Sequence, residues 1–259
     1  MWKEFKNKVL FVTGAASGMG RAVAIRFGAM GCKVAVAARR PDAAAETVRL
    51  VEEAGGEAIF VLCDVADELS VKAAIEKTVA TFGSLDFAFN NAGCGADGVH
   101  IPFAPLTEVS ESDWLKVVNT NLTGMFHCLK YELMQMNRQG GGAIVNTASI
   151  GGLKMAPNFG AYGPSKAGVI AITQTAAVEN AKNGIRVNVI CPGPTEGTNL
   201  MADSVAAGSQ DTEMLVNHVI PMGKLGNTAD IADAVTFLCS DMAGHITGCA
   251  LPVCGGMQM

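Results

Sequence analysis

Short apolar runs that end in glycine-rich or polar turns recur along this chain, and a segment with helical spacing follows nearly every run. Such runs are typical of buried strands, and strands that alternate with helices through short loops pair in parallel. We therefore predict an α/β fold in which helices cover both faces of a doubly wound parallel sheet of about seven strands. The predicted strands span residues 8–13, 33–37, 58–63, 85–89, 143–146, 185–190 and 250–253, and the predicted helices are the segment that ends at residue 30 and residues 42–54, 67–81, 111–138, 161–182 and 229–238.

Length and composition favour a single domain. The chain has 259 residues, of which 49% are hydrophobic and 17% are charged, and it shows neither an internal repeat nor a linker. A chain of this kind buries a large core, so we predict one domain over residues 1–259. Residues 195–225 are irregular in pattern and are predicted to form a lid over a substrate.

The charge and hydropathy of the chain argue against several kinds of partner. The net charge is −5 and no basic run is present, which argues against nucleic-acid binding. No apolar stretch approaches the ~18 residues of a membrane-spanning helix, so no membrane partner is predicted. The first apolar run leads directly into a glycine turn rather than a signal-peptide pattern, which predicts a cytoplasmic protein. The eight cysteines and four histidines are scattered without a C-x-x-C pair, so neither disulfides nor a metal site is expected.

A glycine-rich turn, TGAASGMG at residues 13–20, follows the first predicted strand. Its glycines allow the backbone to turn sharply and to approach a pyrophosphate, which the free N–H groups at the start of the next helix bind. A turn of this kind also occurs as a simple connection between a strand and a helix. Its position after the first strand favours a dinucleotide site.

A second candidate site lies between residues 141 and 168, where Ser149 follows a predicted strand and Tyr162 precedes Lys166 by four residues. Residues i and i+4 share one helix face, and a nearby ammonium stabilises a phenolate, whose ordinary pKa is ~10. A serine beside this pair would hydrogen-bond a substrate oxygen whose charge changes during the reaction. The alternative is a chance pair of a tyrosine and a lysine one helical turn apart.

Together these motifs give the chain a resemblance to one enzyme family over nearly its whole length. The sequence resembles the classical short-chain dehydrogenases/reductases, which carry the same motifs in the same order. The resemblance implies a single-domain Rossmann-type fold and an NAD(P)-dependent alcohol dehydrogenase or ketoreductase. The matching motifs are TGxxxGxG at residues 13–20, Asp64-Val65, NNAG at residues 90–93, Asn121, Ser149, Tyr162-x-x-x-Lys166 and Pro192-Gly193.

Four catalytic roles follow from the resemblance. Tyr162 would donate a proton in ketone reduction and accept one in alcohol oxidation, while Ser149 would hold the substrate oxygen. Lys166 would lower the pKa of Tyr162 and bind the nicotinamide ribose. Asn121 would hold a water molecule that links Lys166 to solvent.

The resemblance also implies a set of residues that bind the nicotinamide cofactor. Two departures from the family pattern stand near it: Pro194 and Thr195 shift the usual spacing after the Pro-Gly pair, and Cys254 replaces the usual Asp near the C-terminus. The implied cofactor-binding residues are Gly14, Ser17, Gly18, Met19, Gly20, Ala38, Arg39, Arg40, Asp64, Val65, Asn91, Ala92, Gly93, Tyr162, Lys166, Pro192, Gly193 and Thr195.

The end of the second predicted strand indicates which cofactor is used. An acidic side chain at this place binds the 2′-hydroxyl of NAD, whereas this chain has Ala38 followed by Arg39 and Arg40. Because a guanidinium pairs well with a phosphate, NADP(H) is favoured and NAD(H) is the alternative. Ser17 stands where many NADP-preferring relatives carry a basic residue, which counts against this preference.

The predicted lid and the catalytic loop indicate a substrate class and its alternatives. Residues 195–223 contain many aliphatic and Met side chains and four acidic residues but no Lys or Arg. This composition favours a bulky apolar or alicyclic secondary alcohol or ketone, such as a hydroxysteroid, although any lid needs apolar residues to pack down. An anionic 3-oxoacyl thioester is the alternative substrate, and a non-catalytic nucleotide-binding regulator is the remote alternative function.

A quaternary structure is also implied. The predicted helices 111–138 and 161–182 resemble the pair that joins subunits in this family. Two-fold symmetry makes such a contact self-complementary, so a homotetramer or a homodimer is predicted.

Overall fold

The computed structural model describes residues 3–95, 104–198 and 213–257 and contains a seven-stranded sheet in the order β3-β2-β1-β4-β5-β6-β7. Every pair of neighbouring strands is parallel, which confirms the predicted fold class. The order in which successive strands are added to the sheet reverses between β1 and β4, and in such sheets ligands bind at the carboxyl ends of the strands beside this point. The strands are β1 (Val9–Thr13), β2 (Lys33–Ala38), β3 (Glu57–Leu62), β4 (Phe87–Asn90), β5 (Gly142–Thr147), β6 (Ile185–Pro192) and β7 (Ala250–Val253).

Eight α-helices within the described ranges cover the sheet. Helix α6 is short and was not predicted, because four residues that begin at a serine cap carry no helical period. The helices are α1 (Gly18–Ala29), α2 (Pro41–Glu53), α3 (Glu68–Phe82), α4 (Glu111–Val118), α5 (Gly124–Gln139), α6 (Ile150–Leu153), α7 (Tyr162–Asn180) and α8 (Thr228–Cys239).

Side-chain alternation along the strands divides the core into two layers. Leu10 and Val12 of β1 face α1, α2 and α8, whereas Phe11 faces α3, α5 and α7. All three side chains are fully buried because helices cover both faces of the sheet. This burial on both sides is the reason why the strands appear in the sequence as continuous apolar runs.

The predicted helix over residues 111–138 is corrected by the structure. Helices α4 and α5 are separated by a π-helical turn at Asn119–Thr123, in which hydrogen bonds join residues five apart. The inserted residue breaks the regular spacing of side chains, but the backbone remains helical from α4 through the turn into α5. The sequence pattern therefore predicts one long helix, whereas the structure has two helices on either side of a π-helical turn.

The predicted lid is only partly covered by the described residues. Residues 199–212 lie outside them, so the lid remains a prediction there. A second π-helical turn occurs at Leu215–Val219 in the segment that was expected to be irregular. None of the helices in the described ranges is long and apolar enough to span a membrane. Over the same residues, no group of three or more potential metal ligands is found.

Candidate active site

The glycine turn lies between β1 and α1 and is tightly packed. Gly14 has a φ of +65°, and a Cβ atom there would lie 2.9 Å from the Cα of Ala92. A Cβ atom on Gly20 would lie 2.5 Å from the carbonyl oxygen of Gly14. Only glycine fits at these two positions, so the turn brings bare backbone to the carboxyl end of the sheet.

The turn is joined to the end of β4 by hydrogen bonds. The hydroxyl of Thr13 accepts from the backbone N–H groups of Asn91 and Ala92, at 3.0 and 3.1 Å. The side-chain amide of Asn91 donates to the carbonyl oxygens of Thr13 and Gly14, both at 3.4 Å. Two segments that were predicted to bind the same cofactor are therefore held side by side.

The N-terminus of α1 fits an anionic ligand. Ser17 is the N-cap residue in an extended conformation, and its side chain makes no capping hydrogen bond. In contrast, Asp67, Ser110 and Asn227 cap α3, α4 and α8 with their side chains. The first N–H groups of α1 and the positive end of its dipole thus remain available to a pyrophosphate, as expected for a dinucleotide cofactor.

Two residues that brace the glycine turn were missed by the sequence analysis. The guanidinium of Arg21 donates to the carbonyl of Ala16 at 2.5 Å and to the hydroxyl of Thr47 at 3.0 Å. Thr47 in turn donates to the carbonyl of Ala15 at 2.9 Å. Arg21 follows the last glycine of the motif, but no sequence signal shows that Thr47, on α2, is its partner.

The carboxyl ends of β2 and β3 place the predicted adenosine-binding residues together. Ala38 is 5% exposed, whereas the side chains of Arg39 and Asp64 are 73% and 45% exposed and form an ion pair at 3.9 Å. Arg40 is exposed at the start of α2. The carbonyl of Val65 is fixed by Nδ1 of the buried His127 at 3.0 Å, a contact that the sequence did not suggest.

Ser149 and Tyr162 meet at the carboxyl end of β5. Ser149 caps α6, with its hydroxyl accepting from the N–H of Gly151 at 3.0 Å, and its side chain also hydrogen-bonds Tyr162. Burial of the Tyr162 hydroxyl raises its pKa, and the hydrogen bond with Ser149 partly lowers it. The phenol is therefore protonated at neutral pH, which is the form that donates a proton.

Lys166 is 5% exposed and donates to the carbonyl of Thr147 at 2.9 Å. Its ammonium lies 5.8 Å from the centre of the Tyr162 ring. Burial lowers the pKa of Lys166 to about 8. Burial of the hydroxyl dominates and raises the pKa of Tyr162 overall, so a lowering of this pKa by Lys166 remains a prediction.

Asn121 lies in the π-helical turn and holds the loop that follows β4. Its Oδ1 accepts from the N–H of Cys94 at 2.8 Å, and its Nδ2 donates to the carbonyl of Cys94 at 2.7 Å. The same Nδ2 donates to the hydroxyl of Ser165 at 3.1 Å. A Cβ atom on Gly93 would lie 3.1 Å from Asn121 Oδ1 and 3.4 Å from Lys166 Nζ, so these three residues adjoin.

The segment after β6 reaches back to the glycine turn. Gly193 donates to the carbonyl of Val253 at 3.0 Å, and the hydroxyl of Thr195 donates to Gly193 at 2.9 Å. Further along, the carbonyl of Gly197 would lie 3.4 Å from a Cβ atom on Gly18. The Pro192-Gly193 motif and Thr195 therefore lead into a stretch that packs against the predicted pyrophosphate site.

Comparison with known proteins identifies the family. A family model described as Enoyl-(Acyl carrier protein) reductase matches residues 14–258, which include both the glycine turn and the catalytic segment. The 3-oxoacyl-[acyl-carrier-protein] reductase FabG of Staphylococcus epidermidis is 39% identical over 254 residues, which cover 98% of this chain and 100% of that protein. The chain belongs to the short-chain dehydrogenase/reductase family.

Two solved structures resemble this short-chain dehydrogenase/reductase throughout. An NAD+-bound xylitol dehydrogenase is 38% identical with a TM-score of 0.91, over 98% of this chain and 100% of the other. A 7α-hydroxysteroid dehydrogenase in complex with NADH and 7-oxo glycochenodeoxycholic acid is 30% identical with a TM-score of 0.89, over 97% and 94% of the two chains. The short-chain dehydrogenase/reductase is thus an oxidoreductase of a family that uses NAD(P)(H).

Proposed function

We propose that this enzyme transfers a hydride reversibly between NADP(H) or NAD(H) and a secondary alcohol or ketone, with Tyr162 as the acid and base. The observation that carries the proposal is the convergence of Ser149, Tyr162 and Lys166 at the carboxyl end of the sheet. The glycine turn, which fits a dinucleotide, opens at the same edge. When bound, the nicotinamide cofactor supplies or accepts the hydride.

The residues of this chain handle the proton. In ketone reduction the protonated Tyr162 donates to the substrate oxygen, and the hydroxyl of Ser149 hydrogen-bonds the same oxygen. Lys166, whose charged form is disfavoured by burial, stabilises the phenolate that Tyr162 leaves behind. Asn121 fixes the backbone around Cys94 and thereby the wall of the site next to Lys166.

Replacement of Tyr162 by Phe tests the proposal. The variant keeps the ring but lacks the proton donor, so kcat is expected to fall by about 10² or more. Tyr131 is the other tyrosine of the chain and bonds Glu68 on α3, which makes Tyr131→Phe a matched control. Near-native turnover in Tyr162→Phe, measured as cofactor oxidation with a ketone, would show that another group moves the proton.

For the substrate, we favour a bulky apolar or alicyclic compound such as a hydroxysteroid. Exposed apolar side chains support this choice: Leu153 and Met155 follow Ser149, and Met214 and Met222 flank the second π-helical turn. The likeness to a 7α-hydroxysteroid dehydrogenase points the same way. The likeness to FabG supports 3-oxoacyl thioester reduction as the second candidate.

A direct competition assay separates the substrate candidates. The enzyme is offered hydroxysteroids, alicyclic alcohols, xylitol and an acetoacetyl thioester at equal concentrations with both cofactors. We expect the largest kcat/KM for a hydroxysteroid or an alicyclic alcohol. Turnover of the thioester alone would reverse the ranking, and cofactor binding without any turnover would favour the non-catalytic regulator.

NADP(H) is the favoured cofactor because Ala38 offers no carboxylate to a ribose and the Arg39 guanidinium is exposed beside it. NAD(H) is the alternative, which the NAD+ and NADH complexes of the two similar structures support.

We also propose that the enzyme acts as a homotetramer or homodimer in the cytoplasm. The support for this assembly is the exposed apolar side chains on α5 and α7.

A further inference from the structure

A buried carboxyl group lies beneath the proposed active site and has no role in the chemistry above. Glu132 on α5 is 0% exposed. Its Oε2 accepts from Nδ2 of Asn90 at 2.8 Å, whereas its Oε1 has no hydrogen-bond partner. Among the residues that the structure describes, no Lys, Arg or His forms an ion pair with it.

Glu132 begins a chain of buried polar side chains that crosses the sheet. Asn90, the last residue of β4, also donates through Nδ2 to Oδ1 of Asn146 on β5, at 3.0 Å. Asn146 donates through Nδ2 to the hydroxyl of Thr173 on α7, at 2.8 Å. Thr173 closes the chain by donating to the carbonyl of Val169 at 2.7 Å. The chain therefore ties α5, β4, β5 and α7 together.

The two asparagines of this hydrogen-bonded series, Asn90 and Asn146, directly precede residues of the proposed site in the sequence. Asn90 precedes Asn91, whose backbone and side chain bind the glycine turn. Asn146 precedes Thr147, whose carbonyl accepts from Lys166 and which is followed two residues later by Ser149. A shift of either asparagine would move groups that the proposed reaction requires.

The surroundings of Glu132 favour its neutral form. A buried carboxylate with one hydrogen bond and no cation is far less stable than a carboxylic acid, which carries no charge to desolvate. Burial accordingly raises the pKa of Glu132 to about 8. The titratable groups that interact electrostatically with Glu132 are the thiols of Cys63, after β3, and Cys128, on α5. Burial raises the pKa of both thiols.

We propose that Glu132 is held as a neutral carboxylic acid and is a positioning residue, which fixes the carboxyl ends of β4 and β5 and, through them, Lys166 and Ser149. In this role it contacts neither substrate nor cofactor. The kinetic part of the proposal rests on the proposed function, whereas the protonation state of Glu132 does not.

The unfolding equilibrium tests the protonation state without any substrate. Glu132 is neutral in the native protein and ionised in the unfolded chain between its ordinary pKa of 4.5 and its raised value of about 8. Stability from this group is thus fully present below the lower value and is lost as the pH rises to the upper one. Glu132→Gln has the same shape and no proton to release.

Urea unfolding of both proteins, at several pH values between about 5 and about 8, gives the ratio of their unfolding constants. We expect the unfolding constant of the native-sequence protein to rise with pH, relative to that of Glu132→Gln, by about tenfold per pH unit. The ratio between native protein and Glu52→Gln, an exposed glutamate on α2, should stay constant. A constant ratio for Glu132→Gln as well would show that Glu132 is ionised in the native state, and would overturn the proposal.

Turnover tests the positioning role. Glu132→Gln offers Asn90 an equivalent acceptor, so kcat at about neutral pH should stay within about threefold of the native value. Glu132→Ala removes the acceptor on α5 and leaves Asn90 bonded to Asn146 alone, so kcat should fall about tenfold or more. A Gln variant that loses as much activity as the Ala variant, or an Ala variant with native kcat, would overturn the role. Absence of turnover in the native enzyme would refute the proposed function and leave the unfolding result standing.

Discussion

Ala38 and Arg39 are the two residues that we propose govern cofactor choice. Ala38 is almost fully buried at the end of β2, and the neighbouring guanidinium extends into solvent toward Asp64. An exposed ion pair at 3.9 Å contributes little to stability, so Arg39 is free to exchange this partner for a phosphate. In the proposed mode of binding, the choice between the cofactors depends on whether a carboxylate or a guanidinium faces the ribose.

Ala38→Asp should reverse the proposed preference for NADP(H). The new carboxylate repels a 2′-phosphate and accepts from a 2′-hydroxyl, so the ratio of kcat/KM for NADPH over NADH should fall at least about tenfold. Ala38→Asn is the matched control, since it has the same size without the charge. A native enzyme that prefers NADH, or equal effects of Asp and Asn, would contradict this explanation.

Residue types at the site were predictable from the sequence, whereas their contacts were not. Ser149, Tyr162 and Lys166 were predicted because their spacing and order are distinctive, and the structure brings them together. The raised pKa of Tyr162 was not predictable, because it depends on burial that no local pattern encodes. The same holds for Arg21, whose partner Thr47 lies 26 residues away on another helix.

The glycine turn illustrates how an element depends on its neighbours. Its backbone is bare toward the ligand side, and the carbonyls of Ala15 and Ala16 are held from behind by Thr47 and Arg21. A hydrogen bond from a charged group, such as that of the Arg21 guanidinium to Ala16, contributes ~1.5–3 kcal/mol to stability. The shape of the turn is therefore maintained from α1 and α2 and not by the glycines alone.

Arg21→Met should loosen the turn and weaken cofactor binding. We expect the KM for the cofactor to rise about tenfold and kcat to change little, because the proposed catalytic side chains lie on other elements. Arg26→Met provides the control on the same helix, since Arg26 forms an exposed ion pair with Asp233. Equal effects of the two variants in steady-state kinetics would rule out a specific role for Arg21.

On the scale of the whole molecule, several apolar side chains remain exposed on the long helices. Phe126 of α5 is 46% exposed, and Val178 of α7 is 76% exposed. We expect light scattering to give four times, or at least twice, the chain mass of 26.8 kDa. Val178→Asp should lower the measured mass, because a charge in an apolar interface is unfavourable. Leu69→Asp, a change at an equally exposed leucine of α3, should leave the mass unaltered.

The fold could be predicted from sequence because the five inner strands are covered on both sides. Continuous apolar runs and short turns then leave few alternatives to a parallel sheet with flanking helices. Element ends were less predictable: β4 begins at Phe87 and not at the predicted residue 85, and β6 continues to Pro192 beside β7. The π-helical turn at Asn119–Thr123 left no pattern at all.

That turn also determines the direction in which every later side chain of α5 projects from the helix axis. One extra residue in a helical turn rotates all later side chains by about 100° relative to an uninterrupted α-helix. Phe126 and Glu132 therefore point to solvent and to core, respectively, only because the insertion is present. Deletion of Thr123, which follows Asn121 in this turn, would re-phase the rest of α5 and turn the buried carboxyl away from Asn90 without removing any side chain of the site.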